Sequence, residues 1–178
     1  MESTLYPTFF GVPIIKDQQW EQFLKFGVPL YQEALQGDWE TAEEIFTQST
    51  DWLNASITKR NDRALHIAAA AKQVNLVRNM VDKMSNSDLE LRNSSGNTAF
   101  CFAATSGVVE IAKVMVERNG ELPNIRGSAG MTPLLMAVLM GHKDMVLYLL
   151  TVTHLAKLSK FDRIELLTSS IEAELFGK

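Results

Sequence analysis

Apolar residues recur along this chain in pairs of short runs, each pair split by a glycine-containing or polar break. In TPLLMAVLMGHKDMVLYLL, at 132–150, two apolar segments flank Gly141-His142. TAFCFAATSGVVEIAKVMV, at 98–116, matches it 34 residues earlier, and RALHIAAAAKQVNLVRNMV, at 63–81, and VPLYQEALQGDWETAEEIF, at 28–46, follow in steps of 35. The columns agree. The third residue is Leu30, Leu65, Phe100 or Leu134, a small residue returns at Ala34, Ala69 and Ala104 with Val138 last, and the break holds Gly37, Lys72, Gly107 or Gly141. Apolar residues then return at helical spacing, as Ala42 and Ile45, Val77 and Met80, Ala112 and Met115, Val146 and Leu149. The pattern predicts inner helices near 29–36, 64–71, 99–106 and 133–140, and outer helices near 39–47, 74–83, 109–118 and 143–151. Helices this short are marginal alone. Neither covers its apolar face within its own pair, so stacking must bury it, which predicts an all-α solenoid of about four helix-turn-helix units.

Local chemistry supports the same boundaries. Thr98 and Thr132 suit helix N-caps, Pro133 suits a first turn, and Gly37, Gly107 and Gly141 suit the left-handed turn between helices. SGNT at 95–98 and AGMT at 129–132 predict hairpin fingers turning at Gly96 and Gly130. The second unit has Asn61-Asp62-Arg63 there, without a threonine cap, and Lys72 in place of the loop glycine, so it is expected to be the least regular. A period near 33 residues with T-P-L-H-x-A wording is the mark of ankyrin repeats, which this chain resembles. The units are placed at about 27–60, 61–95, 96–129 and 130–153.

Residues 1–16 carry no period and are expected to be extended or flexible. DQQWEQFLKF, at 17–26, puts Trp20, Phe23 and Leu24 on one face and predicts a capping helix, completing an N-terminal region 1–26. In region 154–178, Ile164, Leu167, Ile171 and Leu175 predict an amphipathic helix over 163–176. It serves either as a cap or as the opening of a further repeat, with its acidic residues toward solvent.

Several phrases go further than period. LYQEALQGDWETAEEI at 30–45, DLELRNSSGNTAFCFAATSGVVEIAKVMVERN at 88–119, LPNIRGSAGMTPLLMAVLMGHKDMV at 122–146 and DRIELLTSSIEAEL at 162–175 resemble the plant ankyrin-repeat proteins of the accelerated-cell-death type, which carry a C-terminal PGG membrane domain. The resemblance implies a protein-interaction domain in plant stress or defence signalling, cytosolic in the full-length members, with no catalytic residues to carry over. The family's later repeats and hydrophobic domain have no counterpart in this chain, so membrane attachment would come only through a domain it lacks. An alternative is a regulatory fragment or short paralogue that assembles with full-length members.

Composition narrows the classes. The chain has 178 residues, is 46% apolar and carries a net charge of −4, enough to bury a core and without the basic footprint of a nucleic-acid surface. The N-terminus makes a poor signal peptide, no apolar stretch approaches the roughly 20 residues of a membrane span, and the lone Cys101 argues for a reducing, cytoplasmic setting. Acidic residues crowd the first unit, with no lysine or arginine between Lys25 and Lys59. This is read as a solvated outer face, with an acidic docking surface as the alternative.

Candidate chemistry is sparse. His66 and Cys101 hold the same column in successive units, on the order of 8–10 Å apart at helix-packing distance, whereas a nucleophilic pair needs about 3 Å. His66 and His142 are read as structural. No spacing suits a metal and GSAGMT, from Gly127, is not a phosphate loop. The expectation is therefore a non-enzyme with no cofactor, no small-molecule substrate and no nucleic acid, binding protein partners through its concave face. The variable columns there are Lys59, Arg60, Asp62, Ala70 and Ala71; Ser94, Ser95, Asn97, Thr105 and Ser106; and Ser128, Ala129, Met131, Leu139 and Met140. Met131, Leu139 and Met140 form an apolar patch that either meets a partner or is covered within the chain.

Overall fold

The paired apolar runs fold as paired antiparallel helices in the computed structural model of the chain, which describes residues 8–9, 12–13 and 18–172. Inner helices are α2 (Val28–Gln36), α4 (Ala64–Ala70), α7 (Ala99–Ser106) and α9 (Pro133–Leu139). Outer helices are α3 (Trp39–Gln48), α5 (Val74–Lys83), α8 (Val109–Arg118) and α10 (Lys143–Val152). A single turn, α6 (Asn86–Leu89), follows α5, the N-terminal helix α1 spans Gln18–Gln22, and α11 (Lys160–Glu172) closes the described chain. The predicted inner and outer helices coincide with these to within a residue or so.

The helices stack in two rows. Inner helices contact in the order α2, α4, α7, α9, α11, and outer helices in the order α3, α5, α8, α10. The column alanines permit this approach: Ala34, Ala69 and Ala104 are fully buried, as are Ala68, Ala103 and Ala137. Between the rows lie Leu30, Leu76, Met80, Phe100, Ile111, Met115, Leu134 and Leu149, all essentially inaccessible. One apolar core therefore runs the length of an all-helical solenoid.

Each helix pair turns through one left-handed residue, with φ of 86° at Gly37, 65° at Lys72, 77° at Gly107 and 72° at Gly141. The second unit, expected to be irregular, forms the same helices. Lys72 adopts the glycine conformation at a steric cost instead of breaking the turn. Asn61, at φ 57°, does the same in its finger. The lost threonine cap is replaced from within the helix, because the Arg63 amide donates to His66 Nδ1 at 3.3 Å. Thr132 caps α9 by accepting from the Leu135 amide at 3.2 Å. Thr98 does not cap through its hydroxyl, which instead lies 3.5 Å from Cys101 Sγ.

The ends depart from expectation. No break separates a capping helix from the first unit. α1 runs through a π-helical turn at Phe23–Gly27 directly into α2. Trp20 and Leu24, assigned to the packing face, are 41% and 49% exposed, and Phe26 packs in their place, 5.7 Å from the Trp52 ring. The stretch 1–16 lies outside the described residues apart from a two-residue antiparallel pairing of β1 (Thr8–Phe9) with β2 (Val12–Pro13). The C-terminal helix forms, but its orientation is the reverse of the one expected. Asp162 is buried while Phe161, Ile164, Leu167 and Ile171 are 71%, 52%, 66% and 76% exposed. The rest of the predicted stripe, at Leu175, lies outside the described residues.

Candidate protein-binding groove

Fingers and inner-helix ends are held by backbone carbonyls and amides of neighbouring units, and this scaffolding decides which candidate residues remain available. Asp62 accepts from Asn93 Nδ2 at 2.7 Å and from the Thr58 hydroxyl at 2.9 Å, and is 1% exposed. It ties the second finger to the third and presents nothing to a partner. Ser106 is also withdrawn, 7% exposed with its hydroxyl on the Ala103 carbonyl at 2.8 Å. A helix-terminal serine that back-bonds in this way satisfies itself locally. Both were expected on the binding face, and both are structural.

Arginines bridge the fingers. Arg63 Nη1 donates to the Arg92 carbonyl at 3.0 Å, and Arg92 Nη1 donates to the Arg126 carbonyl. Arg126 closes on Asp162 with two bonds of 2.8 and 2.6 Å. Those bonds and the Ser159 hydroxyl hold the Asp162 carboxyl well below the usual carboxylate range. Ser159 and Asp162 cap α11 reciprocally, with the Ser159 amide donating to Asp162 Oδ2 at 2.7 Å and the Asp162 amide donating to Ser159 Oγ at 3.1 Å.

The histidines serve the same scaffold. With His66 Nδ1 accepting from Arg63, the proton sits on Nε2, which donates to the Asn97 carbonyl at 3.2 Å. Burial dominates this ring, and its pKa is lowered to about 4. His142 Nε2 donates to the Thr105 carbonyl at 2.9 Å. Its ring lies over Gly107, where an added Cβ would stand 2.7 Å from Cγ. Gln73, in the same column, reaches back to the Leu35 carbonyl at 2.6 Å. Burial pushes the Cys101 thiol up, so the thiolate is disfavoured. Among the described residues, no group of three or more His, Cys, Asp and Glu is placed to hold a metal. Also among them, no helix is long and apolar enough to cross a membrane.

What remains available divides in two. Lys59, Arg60, Ser94 and Ser95 are exposed on the second and third fingers, with Arg60 Nε 3.4 Å from Asp62. They lie outside the groove that the rest line. Asn97, Thr105, Ser128, Met131, Leu139 and Met140 line that groove, of about 160 Å³, together with Cys101, Phe102 and Met136. Its polar wall is tied together: Asn97 Oδ1 accepts from the Ser128 amide at 2.7 Å, which links the fourth finger to the third. Its floor is close-packed, since a Cβ added at Gly127 would lie 2.6 Å from Met136 Cε and 2.8 Å from Cys101 Sγ. Its outer lip is apolar, with Leu139 and Met140 at 51% and 54% exposed. Phe102 and Met136 were not among the expected site residues. They share the column of Ile67, and three large apolar side chains there were the available signal.

The acidic first unit is partly structural as well. Asp38 caps α3 through the Thr41 amide at 3.3 Å, and that threonine lowers its pKa. Glu43 pairs with Lys83 at 3.0 Å and accepts from Trp39 Nε1 at 3.1 Å.

A family model described as ankyrin repeats (3 copies) matches residues 30–126 and, in a second register, 65–162. The comparison with curated proteins returns no match.

Proposed function

Because the chain belongs to the ankyrin-repeat family, we propose that it is a non-catalytic interaction module that takes a protein partner in the groove between its third and fourth units. The observation that carries the assignment is the exposure of Leu139 and Met140 beside Met131, over a floor of Phe102 and Met136. The equivalent column positions elsewhere are Leu35, Ala70 and Thr105, and only in the last unit does an aliphatic side chain stand next to an exposed methionine over such a floor. Thioethers adapt to varied apolar shapes. Asn97, Thr105 and Ser128 supply a polar rim that excludes water without contributing most of the energy. At about 160 Å³ the groove suits one aromatic or branched aliphatic anchor of the partner, by comparison with apolar cavities of similar size that hold a benzene ring. The exposed Lys59 and Arg60 on the second finger provide a separate contact for an acidic flank. The phrases at 30–45, 88–119 and 122–146 support a place in plant stress or defence signalling, with the repeats acting in the cytoplasm.

The test is affinity capture from plant extract with the wild type and with Met140→Lys, followed by titration of each captured species. Species that use the groove bind the variant more weakly by about 1–3 kcal/mol, while its melting temperature is unchanged because Met140 is exposed. Equal retention by both proteins would remove the groove from the binding surface.

A further inference from the structure

Charge is sorted between the two rows of the array. The segments that build the fingers and inner helices of the second, third and fourth units, at 58–73, 91–107 and 125–142, hold six cations (Lys59, Arg60, Arg63, Lys72, Arg92 and Arg126) and one acid, Asp62. Asp62 is 1% exposed and shows solvent almost none of its charge. The outer segments between them, at 74–90 and 108–124, hold three acids to two cations each. The whole chain carries −4, so the cations on the finger side run against its overall balance. Arg126 is matched by Asp162, and Arg60 lies 3.4 Å from Asp62. Among the described residues Lys59, Lys72 and Arg92 form no ion pair. Arg92 donates from Nη1 to the Gly96 and Arg126 carbonyls, which leaves its charge unneutralised.

The fingers that carry these charges lead to the groove in order. The Arg60 carbonyl accepts from the Ser94 amide at 2.7 Å, joining the second finger to the third, and Asn97 and Ser128 join the third to the fourth at the groove wall. Burial pushes up the Cys101 thiol in the groove, and Arg92 is near enough for its charge to offset part of that effect. Because Asn97 Oδ1 is taken by the Ser128 amide, Asn97 Nδ2 remains a donor without a partner among the described residues. A donor on the wall of an apolar groove suits a peptide carbonyl or a carboxylate oxygen.

Resting on the reading of the groove as a protein-binding site, we infer that its partner is an extended acidic peptide segment. One apolar side chain of that segment sits among Met131, Leu139 and Met140, and its Asp or Glu residues lie along the fingers toward Lys59 and Arg60. Stacked helices stand about 8–10 Å apart and an extended residue spans about 3.3 Å, so each unit takes about three residues. Lys59 and Arg60 stand one to two units from the groove, which puts the acids about three to six residues from the anchor. The exposed lip of Leu139 and Met140 favours a peptide over a nucleic acid, which would bring phosphates to the cations but no apolar side chain to the groove.

A phage-displayed library of random peptides of about 12 residues, long enough for an anchor and its acids, is selected on the full chain. Recovered peptides are titrated by fluorescence anisotropy against the wild type, Met140→Lys, and the double variant Lys59→Glu with Arg60→Gln. They are expected to share an apolar residue with at least two Asp or Glu about three to six positions to one side, and to bind at least tenfold more weakly when salt rises from about 0.05 to 0.5 M. The double variant is expected to bind them at least tenfold more weakly with an unchanged circular dichroism spectrum, since both side chains are exposed. Should that protein lose helix, Lys59→Gln alone gives the same direction of change. Peptides that share an anchor lost on Met140→Lys but carry no acids overturn the inference and leave the groove as a binding site. Peptides held equally by Met140→Lys remove the groove and the inference with it. A library that yields no peptide overturns the inference, and the capture from extract then decides the groove separately. A fluorescein-labelled, mixed-sequence oligonucleotide of about 12 nucleotides that binds as tightly as the best peptide overturns it in favour of a nucleic-acid surface.

Discussion

His66 makes the stability of this solenoid depend on pH, in a window set by its burial. In the folded protein the ring is neutral, accepting from the Arg63 amide, donating to the Asn97 carbonyl and meeting the Phe102 ring edge-on at 5.8 Å. Protonation would place a charge on a ring that burial cuts off from water and would destroy the acceptor that caps α4. The pKa is accordingly lowered from 6.5 to about 4. The unfolded chain binds a proton below pH 6.5 that the folded chain refuses until about pH 4. Stability is therefore fully present above pH 6.5, falls as pH drops through the window, and levels off below about 4. A depression of this size corresponds to a total loss of about 3 kcal/mol, of which about 2 kcal/mol falls between pH 7 and pH 5. Urea unfolding followed at 222 nm at those two pH values, for the wild type and for His66→Gln, isolates the contribution. The glutamine protein should be less stable at pH 7, through loss of the cap, but should lose less on acidification by about 2 kcal/mol. Contributions from the other histidines are common to both proteins and cancel. Equal losses in the two proteins, or a His66 ring that titrates near 6.5 by NMR, would refute the argument.

Two further predictions concern strain and docking. Lys72→Gly should raise the stability by about 0.5–1 kcal/mol, since lysine at φ 65° bears a left-handed penalty that glycine escapes only in part through its greater unfolded-state entropy; an unchanged or lower urea midpoint would show that the turn is unstrained. Asp162→Asn should release α11 at a cost of about 1.5–3 kcal/mol, read as faster amide exchange over 160–172 with α4 and α5 unaffected. Because the Asp162 carboxyl is held below its ordinary range, the same protection should be present at neutral pH and be lost as pH falls through that depressed value. Exchange that quickens throughout the array would show that α11 is not an independent unit.

The two rows of helices were readable from the sequence because a solenoid repeats its local rules. Each small residue, each turn glycine and each apolar pair recurs at the same column, so a weak signal is repeated three or four times. Lys72 shows the limit of reading one column at a time. Its unit was expected to be irregular, but the stacking energy of the neighbouring units exceeds the strain of one left-handed lysine. The ends were less readable because they lack that repetition. Periodicity located α11 but not its rotation, which is decided by Arg126, 36 residues earlier in the chain and visible only once the fingers are aligned. Likewise, column position alone put Asp62 and Ser106 on the binding face. Their withdrawal depends on partners at Asn93 and Ala103, hydrogen bonds that no pattern of apolar residues reports. The groove itself was half legible. Met131, Leu139 and Met140 stood out as apolar where polar residues were due, whereas Phe102 and Met136 looked like core and in fact form the floor between lip and core.

The arginines that link successive fingers have a mechanical consequence. Arg63 holds the third finger, Arg92 the fourth, and Arg126 the terminal helix, each through bonds to the next element and none to the one after. Tethers arranged in series share a single tension. Drawing the ends of the array apart would load each of these contacts together with the stacked helices beside it. Each finger junction carries a second bond beside its arginine, Asn93 Nδ2 to Asp62 and the Ser128 amide to Asn97 Oδ1, and the last clamp is double through Arg126 alone and ends on a buried carboxylate. Every junction is therefore held at least twice, so under load no finger opens on the loss of one arginine, and the concave side and the end face keep their shapes together.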